Sequence, residues 1–318
     1  MLKKMYLRKI TVATLALFAL LLIYLMPSHE ELDYTLSQDD IEYVYTNMTE
    51  VVYLLDENDY VSRIQMRGCD CDTVETAKDV LQGLIVDGEK SHIIPNGFRP
   101  LVPSGTEVLG VSLGNKVLTI NFSRELLDIN EKYEDKMIES IIYSLTSIDG
   151  IDKVVIQVEG EVLSRLPNSG KTLPTSLDKS YGINKDYQLT STQNIDSYTV
   201  YYVSNMNDEN YYVPITKYVN QQEQDKIKLI IHELSTSPIY ETNLMSYLDA
   251  NVSLVDYTLE DKSLRLNFND SILSDSTSNH ILEEVIYTIS LSLEDNYGVE
   301  EVVFLVNNEE ICYSSVKE

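Results

Sequence analysis

The sequence has no tryptophan, three cysteines, four histidines, 12 glycines and 8 prolines in 318 residues. The few glycines and prolines exclude a collagen-like chain, and a hydrophobic fraction of 43% argues against wholesale disorder. Basic residues are also scarce, because 24 lysines and arginines face 51 acids and the formal net charge is -27. Since nucleic-acid affinity depends mainly on neutralising phosphates, this charge argues against a nucleic-acid partner.

Catalytic sequence motifs are absent as well. The chain has no Gly-x-Ser-x-Gly elbow, no glycine-rich phosphate loop and no dinucleotide fingerprint. His232 and Glu233 begin like a zinc-protease helix motif, but Thr236 stands where the second histidine belongs. The other histidines are His29, His92 and His280. We therefore expect no catalytic residue, no metal site and no cofactor, and we expect that the protein is not an enzyme.

The three cysteines are Cys69 and Cys71, in a Cys-Asp-Cys sequence, and Cys312 near the C-terminus. A bridge between Cys69 and Cys71 would be strained because the two residues are so close. We therefore expect free thiols. The alternatives are a bridge from Cys312 to one of the pair, and metal binding.

The densest group of acids, Asp70, Asp72 and Glu75, surrounds the first two cysteines. Asp72 followed three residues later by Glu75 is typical of a helix N-cap and its capping-box partner. The alternatives are a solvated loop and a calcium or zinc site. Because the second half of the chain has no counterpart to this group, it is not a property of the domain type.

A 17-residue apolar run, Ile10 to Met26, is interrupted only by Thr11 and Thr14. About 17 to 25 apolar residues suffice to cross a hydrocarbon core. Four cations precede the run and no acid occurs before Glu30, so the positive-inside rule orients the N-terminus towards the cytoplasm. The alternatives are a cleaved signal peptide, for which the run lacks a small-x-small cleavage site, and a buried core helix.

These features predict a single-pass protein of the cell membrane. Residues 1–9 form a cytoplasmic N-terminus, residues 10–26 a transmembrane anchor and residues 27–46 an acidic juxtamembrane spacer. No cysteine lies near the end of the apolar run, so a lipoprotein anchor is not supported. The rest of the chain, which carries nearly all the acidic residues, is expected to be extracytoplasmic.

An internal repeat organises the rest, with self-similarity between residues 51 to 162 and residues 199 to 310. Each half contains an alternating pattern typical of a hairpin with one buried face, and the two patterns lie 146 positions apart. In the first half the alternating residues are Leu109, Val111, Leu113, Leu118, Ile120 and Phe122. In the second half they are Val255, Tyr257, Leu259, Leu264, Leu266 and Phe268. Because a one-residue slip would turn every side chain to the wrong face, matches at one offset indicate duplication.

Two helical faces repeat in the same way. The first has Ala77, Val80, Leu81 and Leu84, and 150 positions later Ile227, Ile230, Ile231 and Leu234. The second has Ile138, Ile141, Ile142 and Leu145, and 144 positions later Leu282, Val285, Ile286 and Ile289. At the latter offset Tyr143 is equivalent to Tyr287.

Each half also opens and closes with an apolar run that predicts a strand. The opening runs are residues 51–55 and 199–203, and the closing runs are residues 154–158 and 302–306. The order of elements predicts an α+β fold of two tandem small domains, each a mixed sheet with two helices, behind the N-terminal transmembrane helix. We place the first domain at residues 47–165, a linker at 166–196 and the second domain at 197–313.

Tyrosines are abundant near the start of the second half. Tyr201, Tyr202, Tyr211 and Tyr212 lie on both faces of a predicted hairpin. The pattern favours core or cross-strand packing. A surface that faces a partner is the alternative.

The turns and core positions of the first half carry a resemblance to a known family. Residues 102–111, Val-Pro-Ser-Gly-Thr-Glu-Val-Leu-Gly-Val, and then residues 117–123 resemble the GerMN domain of bacterial sporulation and spore germination proteins. Residues 151–160 are similar to the closing half of that domain. The second half lacks the Pro-x-Gly-Thr sequence and has only Ala250-Asn251-Val252 before its hairpin.

The resemblance implies a non-enzymatic envelope protein of a spore-forming bacterium. It would act in sporulation or germination as a scaffold or stabiliser of an envelope assembly. Related domains look like ring-building modules of the channel between mother cell and forespore. The expected partners are therefore envelope or sporulation-channel proteins, and a homo-oligomer is compatible with this role. The alternatives are a receptor or regulator that binds peptidoglycan fragments or divalent cations, and a wall-modifying enzyme.

Overall fold

The computed structural model describes residues 49–207, 209–220, 225–236, 243–274 and 280–315. All of them belong to one compact unit, Asn47–Glu318. The predicted N-terminal segment 1–9, anchor 10–26 and spacer 27–46 lie outside the described residues. Within the described ranges, none of the helices combines the length and apolar character that a membrane crossing requires.

The first repeat contains six strands and two helices. Its strands are β1 (Thr49–Leu55), β2 (Val61–Arg67), β3 (Val108–Gly114), β4 (Val117–Phe122), β5 (Lys153–Val158) and β6 (Glu161–Val162). Its helices are α1 (Thr73–Leu84) and α2 (Glu131–Thr146). One short strand, β7 (Asp186–Gln188), lies between the repeats.

The second repeat has the same order of elements. Its strands are β8 (Ile195–Met206), β9 (Glu209–Asn220), β10 (Leu254–Glu260), β11 (Ser263–Phe268), β12 (Glu301–Val306) and β13 (Glu309–Ser315). Its helices are α3 (Lys226–Thr236) and α4 (Glu283–Tyr297). The predicted opening and closing strands therefore exist in both copies.

Each repeat has its own four-stranded mixed sheet, with the order β3-β4-β5-β6 in the first and β10-β11-β12-β13 in the second. In both sheets the central pair is parallel and the outer pairs are antiparallel. The predicted α+β class with mixed sheets is thus confirmed.

A third sheet, with five strands, joins the two repeats. The hairpin β1-β2 and the hairpin β8-β9 share one five-stranded sheet, in which β2 pairs with β9 at Arg63 and Tyr212. Strand β7 pairs in parallel with β9 further along the same edge. The opening strands of each repeat therefore do not extend the sheet of their own repeat but build the junction between the two.

The cores contain the helical faces that the sequence predicts. Ala77, Val80, Leu81 and Leu84 of α1 are fully buried, as are the isoleucines and Leu145 predicted for α2. The matching face of α3 is buried as well. Phe122 and Phe268 both have no exposed surface and end the equivalent strands β4 and β11, which confirms the duplication.

The predicted alternation fails at three positions on the outer strands of the hairpins, while Val111, Leu113 and Tyr257 pack against the core as predicted. A β-bulge shifts the register between Val108 and Gly110 in β3, and an equivalent bulge lies between Leu254 and Asp256 in β10. A bulge inserts one extra residue, so the side chain there leaves the inward-facing series. Leu109 and Val255 are consequently 47% and 57% exposed. Leu259, also predicted to be buried, is 45% exposed.

The predicted equivalence of α2 and α4 is also wrong, by one helical turn. The backbone N–H of Tyr53 donates to Ser144 Oγ, and the backbone N–H of Tyr201 donates to Ser292 Oγ. Both pairs are separated by 91 residues, so the structural offset is 148 and not 144. Four residues of helix turn by about one full turn, so a slip of four leaves a similar apolar face.

The corrected offset changes two predicted assignments. Tyr143 is fully buried and is equivalent to Leu291, whereas Tyr287 is 38% exposed and is equivalent to Glu139. Leu282, predicted to lie on the buried face, is the N-cap residue of α4 and is 36% exposed.

The segment between the repeats packs against both of them. Leu166, Leu173, Leu177 and Ile183 are buried, although the sequence predicts a linker or long loop over 166–196. Backbone hydrogen bonds join Leu177 to Val154 of β5, and Ile183 to Thr216 of β9. This segment is therefore part of the packed structure.

Two alanine substitutions in the same hairpin should differ in how much they lower the free energy of unfolding, because one residue lies in the core and the other at the bulge. Phe122→Ala should lower the free energy of unfolding by about 3–5 kcal/mol, because it removes a fully buried ring. Leu109→Ala should change it by less than about 0.5 kcal/mol, because Leu109 stands outside the core at the bulge. Urea unfolding followed by tyrosine fluorescence measures both. Equal losses would contradict the bulge.

Candidate functional site

The two repeats meet at a pair of equivalent tyrosines. The hydroxyl of Tyr53 in β1 and the hydroxyl of Tyr201 in β8 are 2.8 Å apart and hydrogen-bonded. These residues are 148 positions apart, which is the offset of the repeat. Each side chain is about 1% exposed. The junction thus brings the same position of the two copies together, as a local two-fold axis would.

A buried charged pair extends this contact. The Tyr201 hydroxyl donates to Asp295 Oδ2 over 2.7 Å, and Asp295 Oδ1 forms an ion pair with Lys179 Nζ. The Tyr143 hydroxyl donates to the backbone oxygen of Lys179 over 3.1 Å. The Tyr53 and Tyr143 rings are in edge contact, with centroids 5.4 Å apart. The network therefore links the first repeat, the intervening segment and the second repeat.

The environment keeps these groups in their ordinary protonation states at neutral pH. Burial raises the pKa of Tyr53, Tyr143 and Tyr201, and the nearby Asp295 carboxylate raises each pKa further. Burial alone would lower the pKa of Lys179, but the charge of Asp295, the hydrogen bond to it and the nearby Tyr53 and Glu294 together outweigh burial, and the pKa rises. Neutral hydroxyls can donate hydrogen bonds and the paired ammonium keeps its partner in place, so the network is suited to holding the repeats together.

A cleft of about 650 Å³ opens beside this network, between the two repeats. Its rim carries Lys116 and Lys262, which occupy the equivalent turns of the two hairpins. Lys116 forms an ion pair with Asp152 over 3.3 Å, and Lys262 forms one with Glu300. Both rim cations are thus already neutralised by the chain.

A second cleft, of about 690 Å³, lies between the β2-β9 junction and the start of α4. It is lined by aromatic and acidic side chains, among them Tyr212, Tyr287, Glu209, Glu283 and Glu284. The sequence analysis singled out Tyr212 but did not bring these residues together, because they belong to a strand and a helix that are far apart in the chain.

The acid and cysteine cluster near residue 70 differs from the expectation. Cys69 and Cys71 form a disulfide, and Cys312 is a free, half-buried thiol. The predicted free thiols are therefore wrong for the pair. A two-residue separation still allows the bridge, because the irregular chain after β2 places the two Cα atoms 5.3 Å apart.

Asp72 caps a helix, as predicted. Its carboxylate accepts hydrogen bonds from the backbone N–H groups of Val74 and Glu75, both at 3.0 Å. The Glu75 carboxylate forms an ion pair with Lys78 over 2.6 Å and does not complete a capping box. These contacts favour the capping interpretation over a calcium or zinc site at Asp70 to Glu75.

Glu50, Cys69 and Asp79 have ligand atoms close enough to one another to hold a metal ion. Lys90 already fills this position, because its ammonium forms ion pairs with Glu50, at 3.3 Å, and with Asp79. The sulfur of Cys69 is bonded to Cys71. The group therefore fits a lysine ammonium better than a divalent metal ion.

The remaining predicted positions do not converge. His92, His232 and His280 are exposed and lie on separate elements, while His29 is outside the described residues. Tyr201, Tyr202 and Tyr211 are buried, which favours the core interpretation for these three. In the parts of the chain that the structure describes, no nucleophile, base and orienting group come together.

Among the described strands, β3 and β10 form equivalent sheet edges in the two repeats. β3 ends one four-stranded sheet and β10 ends the other, so the two repeats present the same edge. The exposed apolar side chains on these edges are Leu109, Val255 and Leu259. The edge of a sheet carries unpaired backbone groups that can pair with another chain.

Comparison with known proteins identifies the repeat. A family model described as Germane, sporulation and spore germination, matches residues 51–164 and again residues 199–312. The chain is 32% identical over 263 residues to the spore germination protein GerM of Bacillus subtilis strain 168, covering 80% of this chain and 70% of that protein. The solved tandem GerMN domains of the sporulation protein GerM from Bacillus subtilis superpose with a TM-score of 0.74 at 31% identity. This match covers 82% of this chain and 91% of that chain.

The buried tyrosines predict how stability depends on alkaline pH. An unfolded tyrosine loses its proton near pH 10, whereas a raised pKa keeps Tyr53, Tyr143 and Tyr201 protonated in the folded chain. Their contribution is therefore complete below about pH 10 and is lost as the pH rises towards the folded pKa. Replacing all three by phenylalanine should flatten the fall in the free energy of unfolding by up to about 1.4 kcal/mol per pH unit for each tyrosine.

Urea titrations between pH 8 and pH 11.5 measure this slope. Tyr313→Phe is the matched control, because Tyr313 is 65% exposed and its removal should leave the slope unchanged. An unchanged slope in the triple variant would contradict the buried network.

Proposed function

This chain belongs to the Germane family of sporulation and spore germination domains, of which it carries two tandem copies, and from this premise we propose that it is a membrane-anchored scaffold. In this role the chain is a non-enzymatic envelope protein of a spore-forming bacterium. It stabilises an assembly of other envelope or sporulation-channel proteins. The apolar run Ile10 to Met26 supplies the anchor, and residues 47–318 lie on the extracytoplasmic side.

The observation that carries the proposal is the way in which the repeats are joined. The shared five-stranded sheet and the Tyr53-Tyr201 contact make one compact unit of the two domains. A scaffold needs binding surfaces at a fixed separation, and a packed junction provides this where a flexible linker would not. The equivalent edges of β3 and β10 are two such surfaces.

The chemistry of the described residues supports a role in binding. The charged groups of the junction form ion pairs with one another, and the tyrosines of the junction are held neutral by burial. Lys90 fills the one group of described residues whose spacing suits a metal ion. These contacts support the scaffold over the cation receptor that the acidic composition also allows.

The scaffold role predicts specific partners for the edges. We expect a photo-crosslinking residue in place of Leu109 or Val255 to capture the same envelope proteins reproducibly from membranes of sporulating cells. Phe122 is buried in the same hairpin, so the crosslinker at that position should capture nothing and serves as the control. A monomer without any reproducible envelope partner would contradict the scaffold.

The rival functions are tested on the purified full-length chain in detergent micelles. Calorimetry with calcium, zinc and muropeptides should show no binding tighter than about 1 mM, a free energy of about -4 kcal/mol. Incubation with purified cell wall should release no fragments. Saturable binding of a muropeptide or cation would instead support the receptor, and wall hydrolysis would support an enzyme.

A further inference from the structure

The local two-fold relation of the repeats produces two equivalent grooves. One lies between α2 and the β2-β9 junction and the other between α4 and the same junction. We call them the α2 groove and the α4 groove. The α4 groove is the second cleft described above, lined by Arg63, Gln65, Glu209, Tyr212, Glu283 and Tyr287 among others.

The α2 groove is filled by the chain itself. Residues 181–185 of the intervening segment lie in it, and Lys185 forms ion pairs with Glu139 and, over 3.4 Å, with Asp135. The ring of Tyr181 lies 4.1 Å from the Lys185 ammonium. The side chains of Lys185 and Glu139 are only 8% and 4% exposed. The α2 groove therefore holds an ammonium group between two carboxylates and beside an aromatic ring.

The backbone of the same segment is also bound. Asn184 Nδ2 donates to the backbone oxygens of Val61 in β2 and Pro214 in β9, both at 2.8 Å. The backbone N–H of Val61 donates back to Asn184 Oδ1 over 2.9 Å. Gly182 has φ +78°, and a Cβ there would lie 2.5 Å from the Tyr218 hydroxyl. Asn184 also has a positive φ of 45°. The groove therefore accepts a bent segment that approaches the junction closely.

The α4 groove has equivalent walls on the helix and the junction, and residues 95–98 and 206–207 form a further wall. Among the residues that the structure describes, no segment fills it as residues 181–185 fill the α2 groove. At the offset of 148, Asp135 is equivalent to Glu283 and Glu139 to Tyr287. The Tyr212 and Tyr287 rings are 5.7 Å apart, and Asn210 Nδ2 donates to Glu284 Oε1 over 2.9 Å. None of the described residues places an ammonium against Glu283 there. Three carboxylates against the single cation Arg63 leave the groove with an excess of negative charge.

We propose that the α4 groove binds a lysine side chain carried on a bent segment of a partner protein. The carboxylate of Glu283 pairs with the ammonium as Asp135 does in the other groove, and the Tyr212 ring provides the aromatic contact that Tyr181 provides there. Tyr287 stands where the filled groove has its second acid, Glu139. The net charge of -27 attracts a basic partner over a longer range. The binding of lysine is argued from the groove itself. Only the statement that the partner is an envelope protein rests on the proposed scaffold role.

The chain supplies its own probe, because its residues 181–188 fill the equivalent groove. The probe is the synthetic peptide Tyr-Gly-Ile-Asn-Lys-Asp-Tyr-Gln with a fluorescent label at its N-terminus. The control peptide carries glutamine in place of its lysine. Fluorescence anisotropy with the full-length chain in detergent micelles measures both. We expect the lysine peptide to bind about fivefold more tightly than the control, with an advantage that shrinks at high salt.

Two substitutions in the groove should move this affinity in opposite directions. Glu283→Gln should weaken the lysine peptide about fivefold and leave the control peptide unchanged. Tyr287→Glu restores the acid pair of the filled groove and should strengthen the lysine peptide several-fold. A gain of this kind cannot arise from misfolding. Glu309→Gln, on the distant strand β13, is the matched control and should change neither peptide.

Equal affinity for the two peptides, or no gain from Tyr287→Glu, would overturn the proposal. Self-association of the full-length chain that Glu283→Gln abolishes would assign the groove to a second copy and overturn it as well. If the peptide experiments fail but crosslinks from the β3 and β10 edges to a partner persist, the groove proposal is overturned and the scaffold proposal is retained. Conversely, lysine-peptide binding without any envelope partner would retain the groove and remove the scaffold.

Discussion

The hydrogen bond between the hydroxyls of Tyr53 and Tyr201 marks the constraint on which the rest of the structure depends. Because the same residue of each copy meets at one point, the repeats face each other across a local two-fold axis, and the antiparallel pairing of β2 with β9 continues this relation. Asp295 and Lys179 are tolerable in this buried position because each neutralises the other and the tyrosine hydroxyl satisfies the second carboxylate oxygen. A contact of this kind keeps the two domains at one separation.

Duplication explains both the similarities and the differences between the two halves. Equivalent grooves arise at the junction, but only one stretch of chain connects the repeats, so it fills only one groove. Lys185 and Asn184 there satisfy the carboxylates of α2 and the open backbone groups of the junction. On the other side Glu283 of α4 stays exposed. Because the connection is asymmetric, one groove is filled by the chain, and the other is where we propose that a partner's lysine binds.

A role in assembly agrees with where the polar groups are used. Buried charges form ion pairs or, like Asp56 and Glu134, accept hydrogen bonds within the molecule. Lys90 neutralises the acids of β1 and α1 beside the Cys69-Cys71 bridge. The apolar side chains that the bulges turn outward lie on the free edges of both mixed sheets. The buried polar groups therefore interact within the molecule, whereas the sheet edges and acidic side chains are exposed at the surface.

The sequence by itself determined the repeat, the order of elements and most of the core, including Phe122, Phe268 and the face of α1. It could do so because periods of two and 3.6 residues record burial locally. Only the tertiary structure decided the outward turn of Leu109, the true partner of Tyr143 and the meeting of Tyr53 with Tyr201. Leu109 turns outward because of a bulge, which needs only one extra residue. The partner of Tyr143 was missed because a slip of one helical turn preserves the apolar face. The contact between Tyr53 and Tyr201 spans 148 positions and depends on packing that no local pattern records.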